Sequence, residues 1–370
     1  MYIWQHDNWP DFRWNQEQLK GRLEAIRLLQ GRLLGRLEAA PDQADHEMEM
    51  DALIQSAIRT SEIEGEHLDV QSVRSSVVRK LGLERAGISA PVTAQSEALV
   101  ELLAEATREP DEGLSLKDLC HWQSLLFPES ASPLRSLRIG QLRGDEVMQV
   151  VSGRLDRPTV HFEAPPRNRL DVELKRFMDW FAKPPTTLDP ILRAGVAHLW
   201  LITIHPFEDG NGRVTRAVTD RALAQAERQS VRFYSLSEAI MLRRNSYYEV
   251  LEKTQRGELD ISGWLEWFLD TLEQALNQAV ARLQRVLSKT RFWQRHATTV
   301  LSERQIKVLN RLLDAAGEAF PQGITPRKYQ SMARVSKATA TRDLTDLLEK
   351  GCLKKLPGAG RSTRYAIACA

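Results

Sequence analysis

An apolar run that must be buried, closed by a histidine and a proline and followed at once by a glycine turn and two arginines, limits this chain more than any other stretch. Residues Ile191 to Ile204 (ILRAGVAHLWLITI) are apolar almost all round, so they read as a buried helix. Pro206 cannot continue that helix without losing a hydrogen bond, so the chain turns and His205 stands at the start of a loop. Gly210, Asn211 and Gly212 tolerate left-handed backbone, which lets successive N–H groups converge on an anion. From about Arg213 the pattern is helical again, which puts the turn at a helix N-terminus, where unpaired N–H groups and the dipole favour phosphate. Arg213 and Arg216, three apart, share a face and add two forked donors. Asp209 offers hard oxygen to a hydrated cation that bridges phosphates, as Mg²⁺ does. A lone histidine here is ordinarily a helix cap. A base, an acid, a glycine turn and two arginines together point to a phosphate site.

From His205 to Arg216 the chain resembles the Fic family signature H-x-F-x-[DE]-G-N-G-R-x-x-R at every specified position, and is unlike a Walker-type loop. The resemblance implies an adenylyltransferase that moves AMP from ATP to a Tyr, Thr or Ser hydroxyl of a target protein, with auto-modification left open. On it, His205 is the general base and Asp209 holds Mg²⁺ at the α- and β-phosphates. Gly210, Asn211 and Gly212 form the anion hole, Arg213 holds the α/β-phosphates and Arg216 the γ-phosphate, while Phe207 anchors the loop.

Trp4, Trp9 and Trp14, with Pro10 and Phe12 between them, read as an extended segment packed onto a helical body. Helices are expected over 16–39 and 44–63, separated by Pro41. This block resembles the N-terminal extension of one large group of bacterial Fic proteins. The second helix ends in Thr60-Ser61-Glu62-Ile63-Glu64-Gly65, which by itself reads as a solvated C-terminal turn. It also resembles the family's inhibitory motif [ST]-x-x-x-E-[GN]. Thr60 and Glu64 are four apart on one face, and the resemblance implies that Glu64 reaches Arg216, occupies the γ-phosphate position and holds the resting state inactive.

Between 70 and 140 the pattern is helical with a loop from Gly82 to Pro91, and His121 reads as a core residue. Residues 143–162 alternate and carry β-branched side chains around a turn at Ser152–Pro158, so a β-hairpin is expected. In the family such a hairpin is a flap that holds the target by strand pairing, which makes Val160, His161 and Phe162 the candidate edge. Helices are expected over 168–182, 216–228, 237–254 and 264–287. Tyr247 and Tyr248 fall where similar proteins line the nucleotide pocket, although tyrosines on a helix are ordinarily packing residues.

From Ser302 the order is helix, helix, short turn, helix, then two strands around Pro357–Ser362, which is the order of a winged helix-turn-helix. Residues 321–370 hold ten Lys/Arg against three Asp/Glu, a net of +7 in a chain of +2, so the remainder is net negative. Lys337, Thr341 and Arg342 on the recognition helix, and Lys354, Lys355, Arg361 and Arg364 on the wing, suit DNA; dimerisation or target docking is the plain alternative.

The 370 residues therefore predict a mostly α protein. Its expected parts are an N-terminal helical extension with the inhibitory motif (1–100), a Fic-type helical core with a β-hairpin flap (101–289) and a C-terminal winged helix-turn-helix domain (290–370). Cys120, Cys352 and Cys369 are too widely spaced for a disulfide framework or a zinc site. The polar start MYIWQHDNWPDF and the lack of a membrane-length apolar run predict a cytoplasmic protein with no membrane partner. ATP and Mg²⁺ are the expected substrate and metal. DNA and a second copy of the chain stay open as partners. Two readings stand beside AMP transfer: a DNA-binding regulator with a nucleotide-sensing core, and removal of AMP from modified targets.

Overall fold

The computed structural model describes residues 1–83, 91–128, 137–154, 157–230, 232–315, 320, 323–357 and 363–368. They divide into two compact units, one of residues 1–36 with 45–279, the other of residues 37–44 with 280–370. Apart from residues 37–44, the N-terminal block is thus part of the first unit.

Helices of the first unit in chain order are α1 (Gln16–Glu38), α2 (Asp42–Ile63), α3 (Val70–Lys80), α4 (Ala94–Arg108), α5 (Leu116–Leu125), α6 (Arg167–Ala182), α7 (Pro190–Ile204), α8 (Asn211–Glu227), α9 (Leu236–Leu242), α10 (Arg244–Gln255) and α11 (Ser262–Arg295). The last residues of α1 and of α11, and the first of α2, count to the second unit. Side chains set many of the starts. The carboxylate of Asp69, the hydroxyl of Thr93 and that of Ser115 accept first-turn N–H groups of α3, α4 and α5, and Asp189 caps α7 with Pro190 at its first position.

Every residue of α7 from Ile191 to Ile204 is buried, as its apolar circumference requires. It packs along α8, which is buried almost throughout, and α4 and α5 also pack against α8. The tryptophan cluster at the N-terminus anchors the chain start: Trp4 Nε1 donates to the Glu163 carbonyl at 2.7 Å and Trp9 Nε1 to the Glu173 carboxylate at 2.8 Å.

Three local expectations change. The helix expected over 237–254 is two, α9 and α10, because the chain breaks at Arg243, and the Ser235 hydroxyl caps the first of them. The hairpin is shorter than 143–162: β1 (Gln149–Arg154) pairs antiparallel with β2 (Arg157–Glu163), and residues 137–144 serve the signature loop instead. His121 is exposed on α5 and faces Glu105 at 3.2 Å, so it is not a core residue. The hairpin tip at 155–156 and most of the Gly82–Pro91 loop lie outside the described residues.

In the second unit α12 (Glu303–Ala315), α13 (Pro326–Ala333) and α14 (Lys337–Glu349) are followed by an antiparallel pair, β3 (Leu353–Lys355) and β4 (Tyr365–Ile367). Val308, Leu309, Leu312, Tyr329, Leu344 and Leu347 form its core. Most of the Pro357–Ser362 turn, Arg361 included, lies outside the described residues. Among those described, no helix is long and apolar enough to cross a membrane.

Candidate active site

The end of α7 sets the first functional group. His205 closes the helix in a left-handed conformation (φ 53°, ψ 61°), its N–H bonded to the Leu201 carbonyl. Its Nδ1 lies 3.1 Å from the Ile202 carbonyl, and since a carbonyl only accepts, Nδ1 carries the proton and Nε2 keeps its lone pair. Burial lowers the imidazole's pKa, against an upward pull from the Ile202 carbonyl, so His205 is neutral at pH 7.

The loop after it is tied to the core from both sides. Phe207 is fully buried, and the Asn211 side chain clamps its backbone, accepting from the Phe207 N–H at 2.9 Å and donating to its carbonyl at 2.8 Å. Asn211 therefore spends its amide on the loop, and only its backbone N–H is left for an anion. Of Gly210, Asn211 and Gly212 only Gly210 is left-handed (φ 86°), and α8 starts at the next residue. Arg143, buried and unremarkable in the sequence, holds the turn from beneath. Its Nε donates to the His205 carbonyl at 2.9 Å, its Nη2 to the Pro165 carbonyl at 2.5 Å and its backbone N–H to the Pro206 carbonyl at 3.0 Å. Burial, with the charge of Arg167 adding to it, lowers the Arg143 pKa to about 10, so it is still a cation at pH 7.

Asp209 is half-exposed; one oxygen accepts from the Gly210 N–H at 2.6 Å and stands 3.8 Å from Arg213 Nη2. Among the described residues no three potential ligands cluster around a metal position. One carboxylate beside an open cavity fits a cation completed by water and substrate phosphates, the usual habit of Mg²⁺.

The two arginines of α8 meet the end of α2. Arg216, 2% exposed, donates from Nε to the Thr60 hydroxyl (2.7 Å), and from Nη2 to the Thr60 carbonyl (2.9 Å) and Glu64 Oε1 (2.7 Å). Arg213, 4% exposed, donates from Nη1 to Glu66 Oε2 at 2.7 Å, a partner the sequence reading missed. Gly65 supplies the reason both acids arrive together. It is left-handed (φ 83°), its N–H bonds the Glu62 carbonyl and the Glu66 N–H bonds the Ser61 carbonyl, which is the Schellman helix stop. That turn brings Glu66 back beside Glu64. The Glu64 carboxylate lies so close over Gly212 that a Cβ there would collide with Oε1. Burial raises the Glu64 pKa, but the charge and hydrogen bond of Arg216, helped by Arg213 and His205, bring the net result below the ordinary carboxylate range. For Glu66 burial prevails over Arg213, and the net shift is upward.

His205, Asp209, the glycine turn and Glu64 border one open cavity of about 700 Å³, whose far wall includes Tyr247 and Tyr248. Tyr247 is buried, with its hydroxyl 2.9 Å from His198 Nε2. Tyr248 is partly exposed and donates to the Ile63 carbonyl at 3.1 Å; Arg244, also missed, donates to the same carbonyl at 2.8 Å. The flap residues are placed differently from one another. Phe162 is buried against Tyr2, and the carbonyls of Val160 and His161 both accept from the Arg256 guanidinium. His161 sits at a bulge and bonds Glu252 and Ser152. Arg256 thus occupies the outer side of β2 at Val160 and His161; neither strand has a second strand partner among the described residues, and the edge that Arg256 leaves open is that of β1, with Val151 exposed.

A neutral base, a glycine turn and two buried arginines at a helix start, all in a helical body, define the class: a helical protein whose loop-to-helix junction presents donors suited to a phosphate. Comparison with known proteins narrows that class: residues 113–223 match the Fic/DOC family, and residues 2–83 match a domain of unknown function, DUF4172. The chain carries a Fic/DOC domain. It is 36% identical over 93 residues to a protein adenylyltransferase Fic of Nematostella vectensis, covering 24% of this chain and 20% of that protein. With a protein adenylyltransferase Fic of Culex quinquefasciatus it shares 24% identity over 231 residues, 62% of this chain and 42% of the relative. Less than half the length of either relative is therefore spanned. A Fic family protein from Desulfovibrio desulfuricans G20 superposes with a TM-score of 0.54 at 18% identity, covering 95% of both chains. The Fic-1 fragment from C. elegans gives 0.51 at 20% identity over 72% of this chain and 73% of that one. These two likenesses establish the fold.

Proposed function

We propose that the chain is a protein adenylyltransferase held inactive by its own α2 segment. The observation that carries the reading is the Glu64 carboxylate lying over Gly212 on Arg216, where a terminal phosphate would go, beside a histidine whose Nε2 is free to take a proton. With Glu64 withdrawn, Arg216 and Arg213 would hold ATP phosphates and the first N–H groups of α8 the α-phosphate oxygens. A target Ser, Thr or Tyr hydroxyl would give its proton to His205 Nε2 while its oxygen bonds the α-phosphorus and pyrophosphate departs. Mg²⁺, held by Asp209, would neutralise charge on the departing phosphates. The unpaired edge of β1 is the side on which an extended target could be held. Glu66 on Arg213 doubles the plug, so that each phosphate arginine is occupied by a carboxylate from the same segment.

The test is transfer of label from ATP marked at the α-phosphate, with Mg²⁺ and cell lysate, to wild type, Glu64→Gly and Glu64→Gly/His205→Ala. Label that rises with the first substitution and vanishes with the second is the expected result. ATP binding without label in any of the three would overturn transfer and favour AMP removal, where Glu64 would orient a water.

A second reading concerns the C-terminal unit. Lys337, Thr341 and Arg342 lie on the exposed face of α14 and Lys354 and Lys355 on β3, none of the four cations in an ion pair among the described residues. Such a face suits duplex DNA, and Lys337→Glu/Arg342→Glu should reduce binding and flatten its salt dependence. Unchanged binding would leave protein docking as the use of that face.

A further inference from the structure

A hydrogen-bonded line runs behind the arginines, shielded from solvent, and reaches the cavity wall only at Tyr247. His198, on α7, is 1% exposed and lies between Thr219 of α8 and Tyr247 of α10: its Nδ1 is 2.9 Å from Thr219 Oγ1 and its Nε2 is 2.9 Å from the Tyr247 hydroxyl. The direction of every proton on this line can be worked out. The Thr219 hydroxyl is 2.7 Å from the Thr215 carbonyl, which only accepts, so its single proton is used there and its oxygen must accept from His198 Nδ1–H. Burial, with the charge of Arg216 adding to it, lowers the His198 pKa to about 3, so the ring is neutral and its other nitrogen carries no proton. Nε2 therefore accepts, and the Tyr247 O–H donates to it. What remains of the Tyr247 oxygen is lone pairs only. Arg216 stands close enough to this phenol for its charge to act on it, and its Nη1 is buried with no hydrogen-bond partner.

We infer that His198 is a positioning residue for Arg216, acting through the Tyr247 hydroxyl. By holding the Tyr247 proton away, it keeps a lone pair of that oxygen toward the guanidinium. In the plugged state Thr60 and Glu64 fix Arg216 without help. Once the α2 segment withdraws, the Tyr247 oxygen is the protein acceptor that aims the guanidinium at the terminal phosphate. A hydroxyl free to rotate would point its proton at a buried cation half the time and let the fork swing.

This rests on the reading of Arg216 as the γ-phosphate residue, and the test separates the two ideas. In the Glu64→Gly background, affinity for ATP and for ADP is measured by calorimetry for the parent and for Arg216→Ala, His198→Leu, His198→Gln and Tyr247→Phe, with thermal melting as a folding control. The expected result is that His198→Leu and Tyr247→Phe weaken ATP roughly tenfold and ADP less than about twofold, the scale of one hydrogen bond to a charged group. His198→Gln, whose amide oxygen reaches the Nε2 position, should restore most of the preference. If His198→Leu does not fold, Tyr247→Phe against His198→Gln carries the same comparison. Arg216→Ala losing the ATP preference while His198→Leu and Tyr247→Phe keep it would overturn the positioning role alone. Arg216→Ala keeping the preference would overturn the phosphate reading and this inference with it. Equal losses in His198→Gln and His198→Leu would reduce His198 to a packing residue and overturn the inference.

Discussion

Removing the two plug carboxylates one at a time should raise ATP affinity by different amounts, and the structure gives the order. Glu64 makes a charge-assisted hydrogen bond at 2.7 Å to an arginine that is 2% exposed, but its own side chain is 30% exposed. A bond to a charged group contributes about 1.5–3 kcal/mol when well buried and roughly 0–1 kcal/mol at the surface, so this one is worth about 1–2 kcal/mol. Glu66 makes the same contact with Arg213 from a side chain 36% exposed, in surroundings that push its pKa upward, so about 0.5–1 kcal/mol is a fair figure. If the segment has to leave before ATP binds, apparent affinity is reduced by the fraction of molecules in the plugged state. Glu64→Gly should then tighten ATP roughly 5–30-fold, Glu66→Ala roughly 2–5-fold, and the double variant by about the product until no plugged state remains. Calorimetric titration of the four proteins with ATP reads this directly. An unchanged affinity in Glu66→Ala beside a tightened Glu64→Gly would remove Glu66 from the plug. No gain in either would show that ATP does not compete with this segment.

Further outcomes follow from particular contacts. Because burial lowers the His205 pKa, the base is still unprotonated below the ordinary imidazole value of about 6.5, so the acid limb of a transfer-rate profile for Glu64→Gly should lie below that pH; a limb above 6.5 would contradict the assignment. His198, held neutral to about pH 3, binds its proton far more readily when unfolded, so stability should fall as pH drops from about 6.5, by up to about 1.4 kcal/mol per pH unit from this group, and His198→Gln should shallow the slope in a denaturant series. Gly212→Ala places a Cβ on Glu64 Oε1 and in the turn where phosphate would sit, so it should loosen the plug yet weaken ATP binding; a variant that binds ATP better than wild type would show that the turn has room to spare. Arg143→Leu strands the His205 and Pro165 carbonyls, at about 1–3 kcal/mol each, and should lower the melting temperature by roughly 4–20 °C, whereas a shift of under 2 °C would show that those carbonyls find other donors.

How much of this was legible in the sequence depends on whether a residue acts through its own neighbours in the chain. The buried helix before His205 and the stop at Pro206 follow from periodicity and from a residue type with few conformations, and both are where the pattern put them, while the next helix, expected from about Arg213, starts two residues earlier at Asn211. That Thr60 and Glu64 share a face was legible from their spacing, whereas their reach to Arg216 was implied only by the resemblance to the inhibitory motif. Arg143, His198 and Arg244 were not, since each acts on carbonyls or hydroxyls 21 to 181 residues away. The hairpin shows the same limit. Alternation located the strands, but nothing local to Val160 or His161 says that Arg256, 96 and 95 residues on, takes their carbonyls and turns the open edge over to β1.

Glu66 is the instructive case, because a signal was present. A glutamate-glycine pair at a helix end predicts a left-handed stop, and a Schellman stop fixes the direction of the residue after the glycine as firmly as a helix fixes its own. Carried one residue further, that rule turns Glu66 back toward the face that carries Glu64. Since Arg213 and Arg216 share a face of α8, a segment that delivers one carboxylate to Arg216 delivers the next to Arg213. The plug is then a two-charge object set against a two-arginine site. On the proposed reading its removal by ATP would be an exchange of carboxylates for phosphates on the same guanidinium forks, with Ile63, held through its carbonyl by Arg244 and Tyr248, as the point that would also have to let go.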